Sequence, residues 1–263
     1  MNKEETKLIS GSVTTVIRYT TQPKGGYLPF KMFKEHSLVP DEFLSHKLEN
    51  IHPTLMGLVV DYLTRYMLSS DPNGSFKISL MGAILINQLD DFWYLLDQIN
   101  ESLDDDVIIA AIRLTTFDHY YRQGITEYED PFILDPNDIS INHVREMVNR
   151  SLNFINSQKE LVSYGTTFEK GLTDKIISGD CDFITEDTLW DFKVSVNPVY
   201  YSKQTLQIFV YWRLGLHSIH KDMFEKIKYL GFYNPRYNKY HTVAVGDIEQ
   251  GIIELVEKEV IGY

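Results

Sequence analysis

One stretch of this chain spaces carboxylates and an ammonium group for joint work: ISGDCDFITEDTLWDFK, from Ile177 to Lys193. Two runs of strand character, Ile176 to Ile184 and Thr188 to Val194, flank the polar pair Glu186-Asp187, which is the pattern of a β-hairpin. A turn of two or four residues sets Ile184 opposite Leu189. The ladder then sets Asp182 opposite Asp191 on one face, with Cβ atoms ~5 Å apart. Lys193 returns to that face two residues later, while Trp190, Phe192 and Val194 point the other way into a core. Two hard carboxylates beside an ammonium group can hold a divalent cation. The competing reading is a cross-strand ion-pair cluster on a solvent face, worth about 1 kcal/mol or less.

The elements that must position this face are read from periodicity. After a loop at Pro198, a helix from about Tyr201 to Leu216 places Gln204, Gln207 and Tyr211 on one polar stripe, with Leu206, Phe209, Val210 and Leu214 on other faces. Upstream, Pro53 to Leu68 has helical apolar spacing, a turn follows at Asp71-Pro72-Asn73-Gly74, and Ile78 to Asn156 is helix-rich. Within that region Ile139 to Ile155 is helical, with Asp138 or Ser140 as N-cap. Leu8 to Thr20 contains the alternating SVTTVIRYT and is expected to be a strand. The chain turns β-rich from Gly165. Lys239 to Val245 is expected as an edge strand, and Ile248 to Val260 as a closing amphipathic helix capped by Asp247. This order predicts a mixed α/β fold, one domain over 1–263 with a helical elaboration at about 78–156.

Composition narrows the class. A 263-residue chain with 43% hydrophobic and 24% charged residues can bury a substantial core. No apolar run approaches the ~18 residues of a membrane span, and the charged start MNKEETK leads into no signal-type apolar stretch, so a cytoplasmic protein that does not cross the membrane is expected. The single cysteine, Cys181, excludes an internal disulfide and is expected on the core side of its strand. The formal charge of −12 argues against a generic nucleic-acid binder. From Lys193 to Tyr240, however, eight basic residues face two acids, with seven Tyr, three Phe and Trp212 interleaved. Such a stretch can follow a phosphate backbone and stack bases, or it can be an ordinary surface of snorkelling lysines.

Other clusters carry less. Asp104-Asp105-Asp106 reads as a solvated helix start, His217 and His220 lack a partner at zinc-ligand spacing, and Asp118-His119-Tyr120-Tyr121-Arg122 contains no nucleophile arrangement. The loop Gln22-Pro23-Lys24-Gly25-Gly26 lacks the ending of a phosphate-binding loop, and neither a G-x-S-x-G elbow nor a dinucleotide glycine fingerprint is present.

Gly179-Asp180-Cys181-Asp182, Leu189-Trp190-Asp191-Phe192-Lys193 and Gln207-Ile208-Phe209-Val210-Tyr211 together resemble the PD-(D/E)xK nuclease superfamily, in its RecB-like branch: its G-x-x-D strand, its hydrophobic-(D/E)-x-K strand and its Q-x-x-x-Y helix, in that order. Gly57-Leu58-Val59-Val60-Asp61 is similar to the family's upstream acidic helix, and Glu169 is a second candidate for that position. The match covers Ile176 to Tyr211 and, more weakly, Pro53 to Leu68. The resemblance implies a restriction-endonuclease-like core, a central mixed sheet flanked by helices, and a metal-dependent nuclease that hydrolyses DNA phosphodiester bonds in a phage, DNA-repair or defence setting. Asp182, Asp191 and Lys193 would be catalytic, Asp61, Asp182 and Asp191 would ligate Mg²⁺ or Mn²⁺, and Gln207 and Tyr211 would contact the substrate. The alternative is an inactive nuclease-fold module that binds nucleic acid or a protein partner. Outside the match, Asn234-Pro235-Arg236 is expected to form a turn with an exposed arginine that meets a phosphate.

Overall fold

The computed structural model describes residues 10–40, 42–158 and 160–263. The chain begins with a short strand β1 (Gly11–Ser12), helix α1 (Val13–Tyr19) and strand β2 (Lys34–Ser37). A helical block follows: α2 (Pro53–Ser69), α3 (Pro72–Ser75), α4 (Lys77–Leu85), α5 (Leu89–Leu96), α6 (Asp105–Thr115), α7 (Asp118–Gln123) and α8 (Asp138–Ser157). Then come β3 (Leu161–Thr167), β4 (Ile176–Ser178), β5 (Asp180–Thr185), β6 (Thr188–Phe192), α9 (Ser202–His217), α10 (Lys221–Phe224), β7 (Tyr229–Asn234) and β8 (Lys239–Ala244). Helix α11 (Gln250–Val256) runs into a π-helical turn, Glu257–Ile261. Among the described residues no helix is long and apolar enough to cross a membrane.

The fold is mixed α/β, as expected. Six strands form one sheet in the order β2-β8-β7-β6-β5-β3, and β1 pairs with β4 in a two-stranded parallel sheet. Every neighbouring pair in the large sheet is antiparallel except β6 and β7. Parallel neighbours need a long crossover, and α9 lies in the segment that joins these two.

The central strands are covered on both faces, which their alternation dictates. Ile184, Leu189 and Leu230 pack with Leu206, Phe209 and Val210 of α9. On the opposite face Phe183, Trp190 and Tyr233 pack with Phe154 of α8, whose ring stacks on Tyr233 at 4.0 Å and meets Trp190 edge-on at 4.8 Å. A separate apolar core, built by α2, α4, α5, α6 and α8, fills the helical block.

Five expectations about these elements need correction. The N-terminal strand is a helix from Val13: Ser12 Oγ accepts the Thr15 N–H at 3.2 Å as N-cap, and Val13, Val16 and Ile17 form a buried helical stripe; Leu8 and Ile9 lie outside the described residues. The run from Ile176 to Ile184 is two strands, broken at Gly179, where a Cβ would come within 2.7 Å of Val13 Cγ2. Asn137, rather than Asp138 or Ser140, caps α8 by accepting the Ser140 N–H at 2.9 Å. The segment Lys239–Ala244 is internal, because β2 pairs along its outer side. The closing helix starts at Gln250, with the Val245–Asp247 turn wound as a separate 3₁₀ segment.

Candidate functional site

The hairpin has a two-residue turn, the shorter of the two expected lengths: Thr185 pairs with Thr188, Ile184 with Leu189 and Phe183 with Trp190. The regular ladder stops there, one step before Asp182 and Asp191. Asp182 Oδ2 itself accepts the Phe192 N–H at 2.8 Å, so the side chain replaces a backbone acceptor at the mouth of the hairpin. Asp191 is 2% exposed. It lies between the sheet and α9, which removes the reading as a solvent-facing ion-pair cluster.

Lys193 Nζ stands 3.0 Å from Asp191 Oδ1 and 2.8 Å from Oδ2. The ammonium thus faces both oxygens of the buried carboxylate, with the better hydrogen-bond geometry to Oδ1. Lys193 Nζ also donates to Gln207 Oε1 at 3.3 Å, and Gln207 Nε2 donates to Tyr211 Oη at 2.6 Å. The i, i+4 spacing of Gln207 and Tyr211 on α9 thus aligns an amide and a phenol behind the lysine. Gln204 has a different task, since its Oε1 accepts the Tyr201 N–H at 2.8 Å and caps the helix.

Helix α2 contributes the other wall. His52 Nδ1 caps it by accepting the Thr54 N–H, Pro53 begins it, and its buried stripe includes Val59, Val60, Tyr62 and Leu63. Asp61 faces the hairpin and is held by Arg65, whose Nε donates to Asp61 Oδ1 at 2.9 Å. The same guanidinium lies 3.4 Å from Asp182 Oδ1 and 4.0 Å from Asp180 Oδ2. Arg65, which no motif marked, therefore ties three carboxylates together; its only sequence signal is the position four residues after Asp61. Glu169, the second candidate for the upstream acid, has Thr167 and His220 as its partners instead.

Burial, then the neighbouring negative charge of Asp182 and Asp61, pushes the Asp191 carboxyl up to about 7 against the pull of Lys193. Burial and the charges of Asp182 and Asp180 push Asp61 up to about 6, against the pull of Arg65. Burial alone would lower the Lys193 ammonium, yet Asp191 and Asp182 raise it and keep it charged. The face thus sets four carboxylates, Asp61, Asp180, Asp182 and Asp191, against the two cations Lys193 and Arg65. An acid whose folded pKa exceeds its unfolded value takes stability away as pH rises between the two. Stability of the protein in EDTA is accordingly expected to fall between pH 4 and 7 by more than that of Asp191→Asn. Urea midpoints of the two proteins at pH 5 and pH 7.5 measure this, and parallel pH profiles would remove Asp191 as the source.

Among the described residues no group of three His, Cys, Asp or Glu side chains is arranged to hold a metal. The available donor set is the Asp182–Asp191 pair, and Mg²⁺ is ordinarily held by one or two carboxylates, with waters and phosphate oxygens completing its shell. Both Asp191 oxygens meet Lys193, and the Asp182 oxygens meet Arg65 and the Phe192 N–H, so a cation would share these carboxylates with the two basic side chains.

The basic, aromatic stretch is mostly consumed internally. Lys193 pairs with Asp191, Arg213 with Glu257, Lys221 with Glu225, Arg236 with Glu49 and Lys239 with Glu35. Phe209, Phe224, Phe232 and Tyr233 are fully buried, so they cannot stack bases. Arg236 is corrected most sharply: it is 1% exposed rather than free to meet a phosphate. His217 lies against Glu257, and Cys181 is buried as expected, its thiol donating to the Thr166 carbonyl at 3.6 Å. Comparison of the chain with protein-family models, curated proteins and solved structures found no match.

Proposed function

We propose that this protein is a cytoplasmic metal-dependent nuclease that hydrolyses DNA phosphodiester bonds, with Asp182 and Asp191 holding Mg²⁺ or Mn²⁺; Asp61, tied to Arg65, does not complete the expected set of three carboxylate ligands. The observation that carries the reading is the convergence of Asp182, Asp191 and Lys193 with the Gln207–Tyr211 pair at the mouth of one hairpin, in the order and spacing of the PD-(D/E)xK motifs.

When bound, the ion supplies Lewis-acid polarisation of a phosphate and a lowered pKa for water. The chain's own residues do the rest. Lys193 presents a compact positive charge that orients the attacking water and offsets charge building on the phosphoryl oxygens. Gln207 holds the Lys193 ammonium in place through its side-chain oxygen, and Tyr211 fixes Gln207, which limits the orientations the lysine can sample. Asp182, by accepting the Phe192 N–H, fixes the end of β6 from which Lys193 projects.

One observation favours a second reading, a module that grips nucleic acid or a protein partner without cutting: the Arg65 guanidinium lies among Asp61, Asp180 and Asp182 and already offsets part of their charge. Calorimetric titration with Mn²⁺ separates the two. The nuclease reading expects a binding heat for the wild type that Asp182→Asn loses or weakens at least about tenfold, as removal of one of two charged ligands should. No carboxylate-dependent heat would leave the non-cutting module.

A further inference from the structure

The helical block contains a cleft of about 960 Å³, lined in part by Thr54, Leu55 and Leu58 of α2, by Arg122 of α7, and by Tyr128 and Ile133. Its size falls within the range of small-molecule sites. Arg122 is held from behind. Its Nε donates to Asp118 Oδ2 at 3.0 Å, and a terminal nitrogen donates to Tyr62 Oη at 3.0 Å. Tyr62 Oη in turn donates to Asp118 Oδ2 at 2.5 Å, and Ser79 Oγ to Asp118 Oδ1 at 2.6 Å.

Asp118, Tyr62 and Ser79 are buried, whereas the Arg122 side chain is 49% exposed. A buried carboxylate and a phenol therefore hold one half-exposed guanidinium, and the Ser79 hydroxyl of a third helix fixes the carboxylate from behind. Stability gives little reason for this, because a buried charged network commonly gains nothing over apolar packing of the same volume. It is, however, what a preorganised anion contact requires.

Helix α2 contributes to both the cleft and the carboxylate face. Thr54, Leu58, Asp61 and Arg65 follow at spacings of four, three and four, one stripe of α2, so Thr54 lies only ~10 Å along the axis from Asp61. The remaining charged groups that line the cleft are acidic: Glu129, Asp130 and Asp135, all exposed. Such a rim repels a long polyanion, yet it accepts hydrogen bonds from exocyclic amino groups, as carboxylates do from cytosine.

We infer that this cleft binds a single nucleotide unit, with the phosphate on Arg122, the base against Leu55, Leu58 and Tyr128, and base amino groups toward the acidic rim. The ligand class rests on the nuclease reading of the neighbouring face; the anion contact rests on Arg122 alone.

The test is calorimetric titration of the full chain, in EDTA, with deoxycytidine monophosphate and with deoxycytidine. The monophosphate is expected to bind at least about tenfold more tightly, the scale of a charge-assisted contact, and Arg122→Gln should abolish the difference. That variant leaves Asp118 buried without its cation, so a second pair avoids the core. Ile133, 79% exposed at the cleft, is changed to Glu or to Lys. Ile133→Glu should weaken and Ile133→Lys strengthen binding of the monophosphate, while deoxycytidine responds to neither. Equal binding of the two ligands, absence of monophosphate binding, or indifference to both Ile133 variants overturns the inference. Cleavage of DNA without Arg122-dependent binding sinks the cleft alone; Arg122-dependent binding by a protein that neither takes up Mn²⁺ nor cuts sinks the nuclease reading alone.

Discussion

Lys193→Ala is expected to lower Mg²⁺-dependent DNA cleavage by about a thousandfold while the protein stays folded. Removing a single preorganised electrostatic contact from a transition state costs on the order of 10²–10³ in rate, and two features of this site place the loss at the upper end. The ammonium group lies within 3.0 Å of both Asp191 oxygens, and burial already pushes that carboxyl up to about 7. Without the lysine, Asp191 binds a proton more readily, and under the proposed reading it would then also be a poorer cation ligand. Lys193→Arg should not restore activity, because a planar guanidinium cannot occupy the position of a compact point charge between Asp191 and Gln207. Gln207→Ala should have a smaller effect, about tenfold, since it acts through the lysine. Single-turnover cleavage of a labelled duplex, with circular dichroism as the folding control, makes the measurement. Residual activity above a tenth of wild type in Lys193→Ala would remove the lysine from the chemistry.

The largest loss of stability is expected far from that site, at Arg236→Met. Arg236 is a buried cation at the β7–β8 turn, paired with Glu49 at 2.6 and 3.1 Å and donating to the Leu44 carbonyl at 2.8 Å. Glu49 also meets His143 of α8 at 2.6 Å, and Arg150 of α8 donates to the Pro235 carbonyl at 3.2 Å. The segment ahead of α2, helix α8 and the sheet are thus joined through one small group of charges. Burial alone would raise the Glu49 carboxyl, but its bonds to Arg236 and His143 bring it below the usual carboxylate range. Breaking a buried pair by removing one partner costs about 3–5 kcal/mol, because the remaining charge is uncompensated, whereas removing both can be nearly neutral. Arg236→Met should lose that much in urea denaturation, and the double variant Glu49→Gln with Arg236→Met should recover a large part of it. A single-variant loss under 1 kcal/mol would mean that water reaches Glu49.

Much of the candidate site was legible because it is local. Asp182, Asp191 and Lys193 follow from a two-residue turn and the period of a strand, and Gln207 and Tyr211 from helical spacing; neither step requires distant contacts. The same holds for α2, whose proline start and apolar stripe are contiguous, and for Asp104, which caps α6 by accepting the Val107 N–H at 3.0 Å. Sequence pattern and structure part where a local pattern is ambiguous or a partner is remote. Ser12 to Thr20 is rich in β-branched residues that suit a strand, yet a serine cap and burial of Val13, Val16 and Ile17 made it helical. Strand β2, Lys-Glu-His-Ser, carries no apolar alternation, as edge strands often do not, so nothing in its residues shows that it pairs outside β8.

By itself, then, the amino-acid order determined the elements whose residues interact within a turn or a hairpin: the carboxylate pair, the lysine beside it and the polar stripe of α9. Only the tertiary structure decided what those groups meet. Arg65 reaches Asp182 across 117 residues, and Arg236 reaches Glu49 across 187. Charge pairing over such separations depends on how helices and sheet pack, and periodicity carries no information about that.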